Sequence, residues 1–434
     1  MSTRRTLSRL LARPHRLAAA LAGIALTASV AVVAALPASS ATAADPPASG
    51  LVPVSSFGAN PGALSMFTYT PAGLPAGSPL VVALHGCTQA ASDYYTHSGW
   101  PLLADRWKFE VVFPQQSTAN NSSKCFNWFS TASDTRGNGE AASIKSMVDK
   151  AVADHGSNVS KVFITGLSAG GAMAADLLAA YPDVFAGGGI DSGLPAQCAT
   201  TQAQATSCQQ NNQNLTPAQW AARANAQGPA GYTGPRPRVA IWQGTSDFVV
   251  YPINGTELRD QWTAVHGLSQ TPTTTQSLPG GTTLTTYADG AGSTKVQFYS
   301  ISGMGHGTAV DPGTGPTQCG STGAYFLAYI CSSYYTGLFF GLDAGTTPPP
   351  TTTTPPTTTV PPTSTTTVPP TTTPAGPCVT SSNYAHVQAG RAHQTAGETY
   401  ANGSNQDMGL WNTFVTHTLR QTGVNYWVIA DGLC

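Results

Sequence analysis

From about Ser49 to Asp343 the chain alternates short apolar runs with stretches whose apolar residues recur at helical spacing. The segments "SPLVVALHG", "FEVVFPQ", "SKVFITG", "FAGGGIDSG", "RVAIWQGTSD" and "TKVQFYSISG" read as strands. The segments "AASIKSMVDKAVADHG", "SAGGAMAADLLAAYPDVF" and "ELRDQWTAVHG" read as helices. A strand that is apolar on both faces is covered on both faces. Strands of that kind alternating with helices predict a mostly parallel α/β sheet flanked by helices.

The pattern stops at "AGTTPPPTTTTPPTTTVPPTSTTTVPPTTTPAGP", Ala344 to Pro377. Proline and threonine leave no apolar period there, so this stretch reads as an extended spacer of order 100 Å at about 3.1 Å per residue. Beyond it, Cys378 to Cys434 is short and aromatic-rich, with Tyr384, Tyr400, Trp411, Phe414, Tyr426 and Trp427. "NTFVTHTLRQ" and "NYWVIADG" read as strands, which makes this a small β-rich module. At the other end, several arginines precede an apolar run from about Leu17 to Leu36 and then "ATA" at Ala41–Ala43. That order is a secretory signal peptide, cut after Ala43 or Ala44; an uncleaved anchor is the alternative. "TRRTLSR" also half-resembles a twin-arginine export signal. The divisions expected are thus 1–44 signal peptide, 45–343 α/β domain, 344–377 linker and 378–434 small C-terminal module.

Composition adds that charged residues make up only 9% of the 434, against roughly 25% in ordinary soluble domains. The formal net charge is −1, and no basic stripe follows the N-terminus, which argues against a nucleic-acid partner. Eight cysteines in an exported chain suggest disulfides. Cys378 and Cys434 bracket the small module and form its expected staple. The other six allow about 15 pairings. Cys198 with Cys208 and Cys319 with Cys331 suit local loops, which would leave Cys87 with Cys125.

The sharpest chemical motif is "GLSAG", Gly166 to Gly170, between a predicted strand and a predicted helix. It fits the nucleophile elbow of α/β-hydrolases, in which a tight turn exposes a serine hydroxyl, here Ser168. Such enzymes supply the acid and base in the order Ser, Asp/Glu, His. Asp247 ends "VAIWQGTSD" and is the expected acid, with Asp191 in "GGIDSG" as its competitor. His306, in the glycine-rich "SISGMGHGTAVDPG", is the expected base; His266 looks like a helix stop. An oxyanion hole takes two backbone N–H groups, one from the residue after the nucleophile, Ala169, and one from an earlier loop. "LVVALHGC" supplies that loop, with Cys87 as the donor through its backbone. No HExxH, paired CxxC, phosphate loop or dinucleotide fingerprint is present, so no metal or cofactor is expected.

Taken in order, "LHGCTQ", "CFNWF", "RGNGEAASIKSMV", "GLSAGGAM", "QGTSDFVVYPINGTELRDQW" and "GMGHGTAVDPG" resemble the extracellular poly(3-hydroxybutyrate) depolymerase family of esterases, related to feruloyl and acetylxylan esterases. The resemblance covers nearly all of Ser49 to Asp343 and implies an α/β-hydrolase fold of the type 1 arrangement. It implies Ser168, Asp247 and His306 as the triad, Cys87 and Ala169 at the oxyanion hole, and a Cys87–Cys125 disulfide. Trp128 resembles an aromatic position beside the family's cleft, with core packing as the other reading. Phe126 and Gln243 stand where relatives commonly carry Trp and His, a departure that bears on substrate preference. The tail resembles polymer-binding segments. The expectation is a secreted, monomeric serine esterase acting on an insoluble polyester such as poly(3-hydroxybutyrate). The alternatives are a plant-wall feruloyl or acetylxylan esterase and a non-catalytic surface-binding protein.

Overall fold

The computed structural model describes residues 50–344, 378–395, 398–402, 404, 406–410, 415–423 and 426–430. The predicted signal peptide, nearly all of the linker, Trp411, Phe414 and Cys434 lie outside them. The chain divides into two compact units at about residue 350.

The first unit begins with β1 (Val52–Val54), β2 (Ser65–Tyr69) and β3 (Leu80–Leu84). After α1 (Ala91–His97) and α2 (Trp100–Trp107) come β4 (Glu110–Gln115), α3 (Thr131–Asp134) and α4 (Gly139–His155). The centre is β5 (Val162–Leu167), α5 (Ala169–Ala180) and β6 (Gly187–Asp191). Then follow α6 (Gln202–Gln210), α7 (Pro217–Asn225), β7 (Arg238–Gly244) and α8 (Ile253–Val265). The unit closes with β8 (Thr274–Leu278), β9 (Thr282–Ala288), β10 (Thr294–Ile301), β11 (Thr308–Val310), β12 (Phe326–Ala328) and α9 (Ser332–Phe340).

Ten strands form one sheet in the order β1-β2-β4-β3-β5-β6-β7-β10-β9-β8. The run from β4 to β10 is parallel, and antiparallel strands finish both edges. The fold is an α/β-hydrolase fold. β3 and β5 are buried along their whole length, which is why they read as unbroken apolar runs. α4 buries Ala141, Ile144, Val148 and Ala151 at helical spacing. Its other face carries Lys145–Asp149 and Lys150–Asp154 pairs. α5 is buried all round, as a helix without a polar face must be. It lies tight on the sheet because β6 is glycine-rich: a Cβ on Gly188 would come 2.4 Å from Leu178 Cδ1.

Four of the sheet's strands, β1, β2, β8 and β9, were not legible. β8 and β9 are threonine-rich and carry little apolar contrast; a tight turn with Gly280 and Gly281 at positive φ joins them.

In the second unit, β13 (Cys378–Ser382), β17 (Thr416–Gly423) and β18 (Tyr426–Ile429) form one antiparallel sheet. β14 (Ala392–Thr395), β15 (Glu398–Ala401) and β16 (Asp407–Leu410) form another, beside the short helix α10 (Asn383–Gln388). Its core gathers Ala392, Ala401, Met408, Leu419 and Trp427. Trp427 therefore packs inward, whereas Tyr384 is exposed. Cys378 is disulfide-bonded; its expected partner lies outside the described residues.

At Gly170 a Cβ would fall 2.5 Å from the His85 carbonyl oxygen and 2.6 Å from that of Leu84. Both obstacles are backbone and cannot swing away. Gly170→Ala is expected to cost about 1–3 kcal/mol or more, as overpacking does. Urea unfolding measures it; an unchanged midpoint would show that α5 can shift off β3.

Candidate active site

The expected triad and the oxyanion loop lie at the C-terminal ends of parallel strands, where open α/β sheets hold their ligands. Gly86 and Cys87 follow β3, Ser168 follows β5, Asp247 follows β7 and His306 follows β10. Gly86, Cys87, Thr88, Leu167, Ser168, Gln209, Val249, His306 and Tyr325 line one cleft of about 120 Å³.

Ser168 sits at φ 57° and ψ −119°, a backbone state that side chains avoid. Its N–H donates to Asp191 O at 2.9 Å, and its carbonyl accepts from Ala172 N at 2.8 Å. The turn closes only because residue 166 is glycine: a Cβ there would come 2.4 Å from the Gly170 carbonyl group.

His306 Nδ1 donates to Asp247 Oδ2 at 2.8 Å. The Asp247 side chain is buried, and its other oxygen accepts from Val249 N and Val250 N, both at 2.9 Å. These bonds fix the carboxylate and place the imidazole proton on Nδ1. Nε2 is left with a lone pair for a hydroxyl. Gln243 Nε2 donates to Asp247 Oδ2 at 3.3 Å and to Val250 O at 3.1 Å. The loop carrying His306 is clipped to the loop carrying Asp247 by Thr245 N to Ile301 O and Ser246 N to Met304 O. Ser192 Oγ, past the end of β6, donates to Gly307 O at 3.0 Å.

Asp191 takes another place. Its buried carboxyl lies near Ser332 Oγ, and burial pushes it up to about 7. His266 caps α8, with Nε2 donating to Pro237 O at 2.9 Å. Trp128 is only 3% exposed, packs edge-on against Phe129 in the core, and is absent from the cleft lining.

The oxyanion loop is held by residues that spacing did not reveal. Gln116 N donates to His85 Nε2 at 3.1 Å, so the imidazole proton is on Nδ1 and donates to Gly86 O at 2.7 Å. In a trans peptide the carbonyl and the next N–H point opposite ways. Holding Gly86 O on one side therefore turns Cys87 N–H to the other. Gln89 Oε1 accepts from Gly86 N at 2.8 Å, and Gln89 Nε2 reaches Ala324 O at 3.2 Å. Behind His85, Gln116 Nε2 donates to Glu140 Oε1, which also takes Asn127 Nδ2. A disulfide joins Cys87 to Cys125, two residues before Asn127; others join Cys198 to Cys208 and Cys319 to Cys331. Of these devices, the sequence signalled the disulfide pairings and the "LHGC" loop, whereas the supports from Gln89, Gln116, Asn127 and Glu140 were not read.

The family model Esterase PHB depolymerase matches residues 64–280. Poly(3-hydroxyalkanoate) depolymerase C of Paucimonas lemoignei is 50% identical over 293 residues, 67% of this chain and 70% of that one. Feruloyl esterase B of Talaromyces funiculosus is 37% identical over 272 residues, 61% of this chain and 75% of that one. Among solved structures, an acetyl xylan esterase from Aspergillus awamori superposes with a TM-score of 0.54 at 32% identity, covering 59% of this chain and 94% of that one. The protein is a carboxylic ester hydrolase. More narrowly, the chain belongs to the Esterase PHB depolymerase family. Among the described residues no His/Cys/Asp/Glu group could hold a metal ion, and no helix is long and apolar enough to cross a membrane.

The imidazole of His85 carries a pH prediction. Burial lowers it from 6.5 to about 4, against the opposing hydrogen bond to Gly86 O, with Lys124 lowering it further and Asp93 opposing. Between those values the unfolded chain binds the extra proton and the folded one does not. His85 therefore makes stability fall as pH drops from about 6.5 to about 4. His85→Asn keeps a donor for Gly86 O and removes the titration. Its melting temperature is expected to vary less than wild type's over that window; parallel curves would remove His85 as the source.

Proposed function

We propose that the chain is a secreted serine esterase that cleaves short-chain polyhydroxyalkanoate, such as poly(3-hydroxybutyrate), through Ser168, His306 and Asp247. His306 Nε2 takes the proton of Ser168 as the hydroxyl attacks an ester carbonyl. Asp247 holds the ring's tautomer and stabilises the imidazolium. The oxyanion that forms is met by the backbone N–H groups of Cys87 and Ala169. His306 then returns the proton to the departing alcohol, and water hydrolyses the acyl-enzyme by the same route.

The observation that carries the substrate is the 50% identity with a poly(3-hydroxyalkanoate) depolymerase, against 37% with the feruloyl esterase. The apolar surface supports it: Val249 and Tyr325, which line the cleft, are exposed, as are Phe248, next to the acid in the chain and 78% exposed, and Tyr251. Such a rim suits an apolar solid. The acetyl xylan esterase superposition favours a second reading, de-esterification of plant-wall polysaccharide. The signal peptide at 1–44 and the disulfides support export. The linker at 344–377 and the module at 378–434 would keep the catalytic domain at high effective concentration on a solid.

Release from polyhydroxybutyrate films, feruloylated arabinoxylan and acetylated xylan, measured side by side, separates the readings. Films are expected to give the fastest release, and preference for either xylan would reverse the assignment. Ser168→Ala is expected to lose at least about a thousandfold in turnover of p-nitrophenyl butyrate. Full turnover by that variant would sink the triad. Ending the chain at Asp343 should spare soluble esters and weaken granule clearing; equal clearing would remove the adsorption role of the tail.

A further inference from the structure

Tyr325 is a bulky residue held at φ +66° on the wall of the catalytic cleft. A tyrosine in that backbone region is an outlier, and such outliers persist only where surrounding structure imposes them. The imposing contacts are clear. Tyr325 O accepts from Thr308 N at 2.9 Å, and Gly323 and Phe326 exchange backbone hydrogen bonds around it. Gln89 Nε2 holds Ala324 O from the oxyanion loop. Gly307, next to the base, is shaped to this approach: a Cβ there would fall 2.7 Å from Tyr325 O.

The strain is not recovered by burying the side chain. Tyr325 is 43% exposed and absent from the core clusters. What the ring does meet is the catalytic base: its centroid lies 5.9 Å from that of His306, edge-on at 75°.

Direction follows from the chemistry. The carbonyl oxygen of a bound ester points at the oxyanion loop. The departing alcohol must lie beside His306, because that imidazole returns the proton to it. A ring beside His306 therefore borders the alcohol, not the acyl group. In a polyester the alcohol is the next hydroxyacyl unit.

We propose that Tyr325 is the specificity residue for the alcohol side of the scissile ester, its ring supporting the next hydroxyacyl unit of the chain. This rests on the esterase reading of the same cleft. Remote contacts of this kind position the reacting bond, and their loss falls hardest on substrates long enough to use them.

The methyl ester and the linear dimer of 3-hydroxybutyrate share an acyl group and differ in the alcohol. With the full chain, Tyr325→Asn is expected to lower the dimer-to-methyl-ester ratio of kcat/KM by about tenfold. Tyr325→Phe, which keeps the ring, should hold that ratio within about twofold. Asparagine tolerates positive φ, so the melting temperature of Tyr325→Asn should not fall below wild type's. Equal losses on both esters would mean that the ring acts on His306 and would overturn the proposal. An unchanged ratio would overturn it as well, and with a lowered melting temperature would make the ring structural. Ser168→Ala separates the two levels. Loss of both activities there keeps the esterase reading and leaves the ratio to judge Tyr325; retained activity overturns the reading and Tyr325 with it.

Discussion

The site depends on one steric constraint, the passage of the start of α5 across the end of β3 with no side chain between them. Gly170 lies against the carbonyls of Leu84 and His85, and Gly166 against Gly170. That contact forces Ser168 into its strained turn and raises its hydroxyl above the sheet. It also sets the serine beside the oxyanion loop, because the strand it crosses is the one that ends in Gly86 and Cys87. One crowded crossing thus positions the nucleophile and its electrophilic support together.

The remaining loops are tied to that crossing by short polar links. Gln89 joins the oxyanion loop to the segment of Tyr325, and Ser192 joins the end of β6 to the loop of His306. His85 is a hydrogen-bonding strut whose neutral form is enforced by burial. The adjacent His and Cys of "LHGC" are therefore neither a thiol dyad nor a metal site. The imidazole turns a peptide, and the sulfur bridges to Cys125. Preorganised N–H groups of this kind need no rearrangement at the moment of reaction, and electrostatic catalysis draws its advantage from that.

Much of the fold was legible because the central strands are covered on both faces and so carry unbroken apolar runs. The elbow was legible because its glycines are sterically compulsory. Asp247 and His306 could be ordered by chain position, but Asp191 also ends a strand, and only the direction of its carboxyl separates the two. Trp128 shows the opposite failure. A tryptophan near a family motif reads equally as wall or as core, and burial put it in the core. β8 and β9 escaped because their threonine-rich runs give neither a helical nor a strand signal strong enough to read.

Local sterics and apolar periodicity act over a few neighbouring residues, so the chain's own pattern carried the order of the central elements, the elbow and the residue types of the site. Long-range packing settled which carboxylate meets the imidazole, which way the Gly86–Cys87 peptide faces, and that the Tyr325 ring meets His306 edge-on. Those outcomes depend on groups far apart in the chain, such as His306 and Asp247 at 59 positions or Gln89 and Ala324 at 235. Their meeting is set by sheet order and loop packing, which no local pattern encodes.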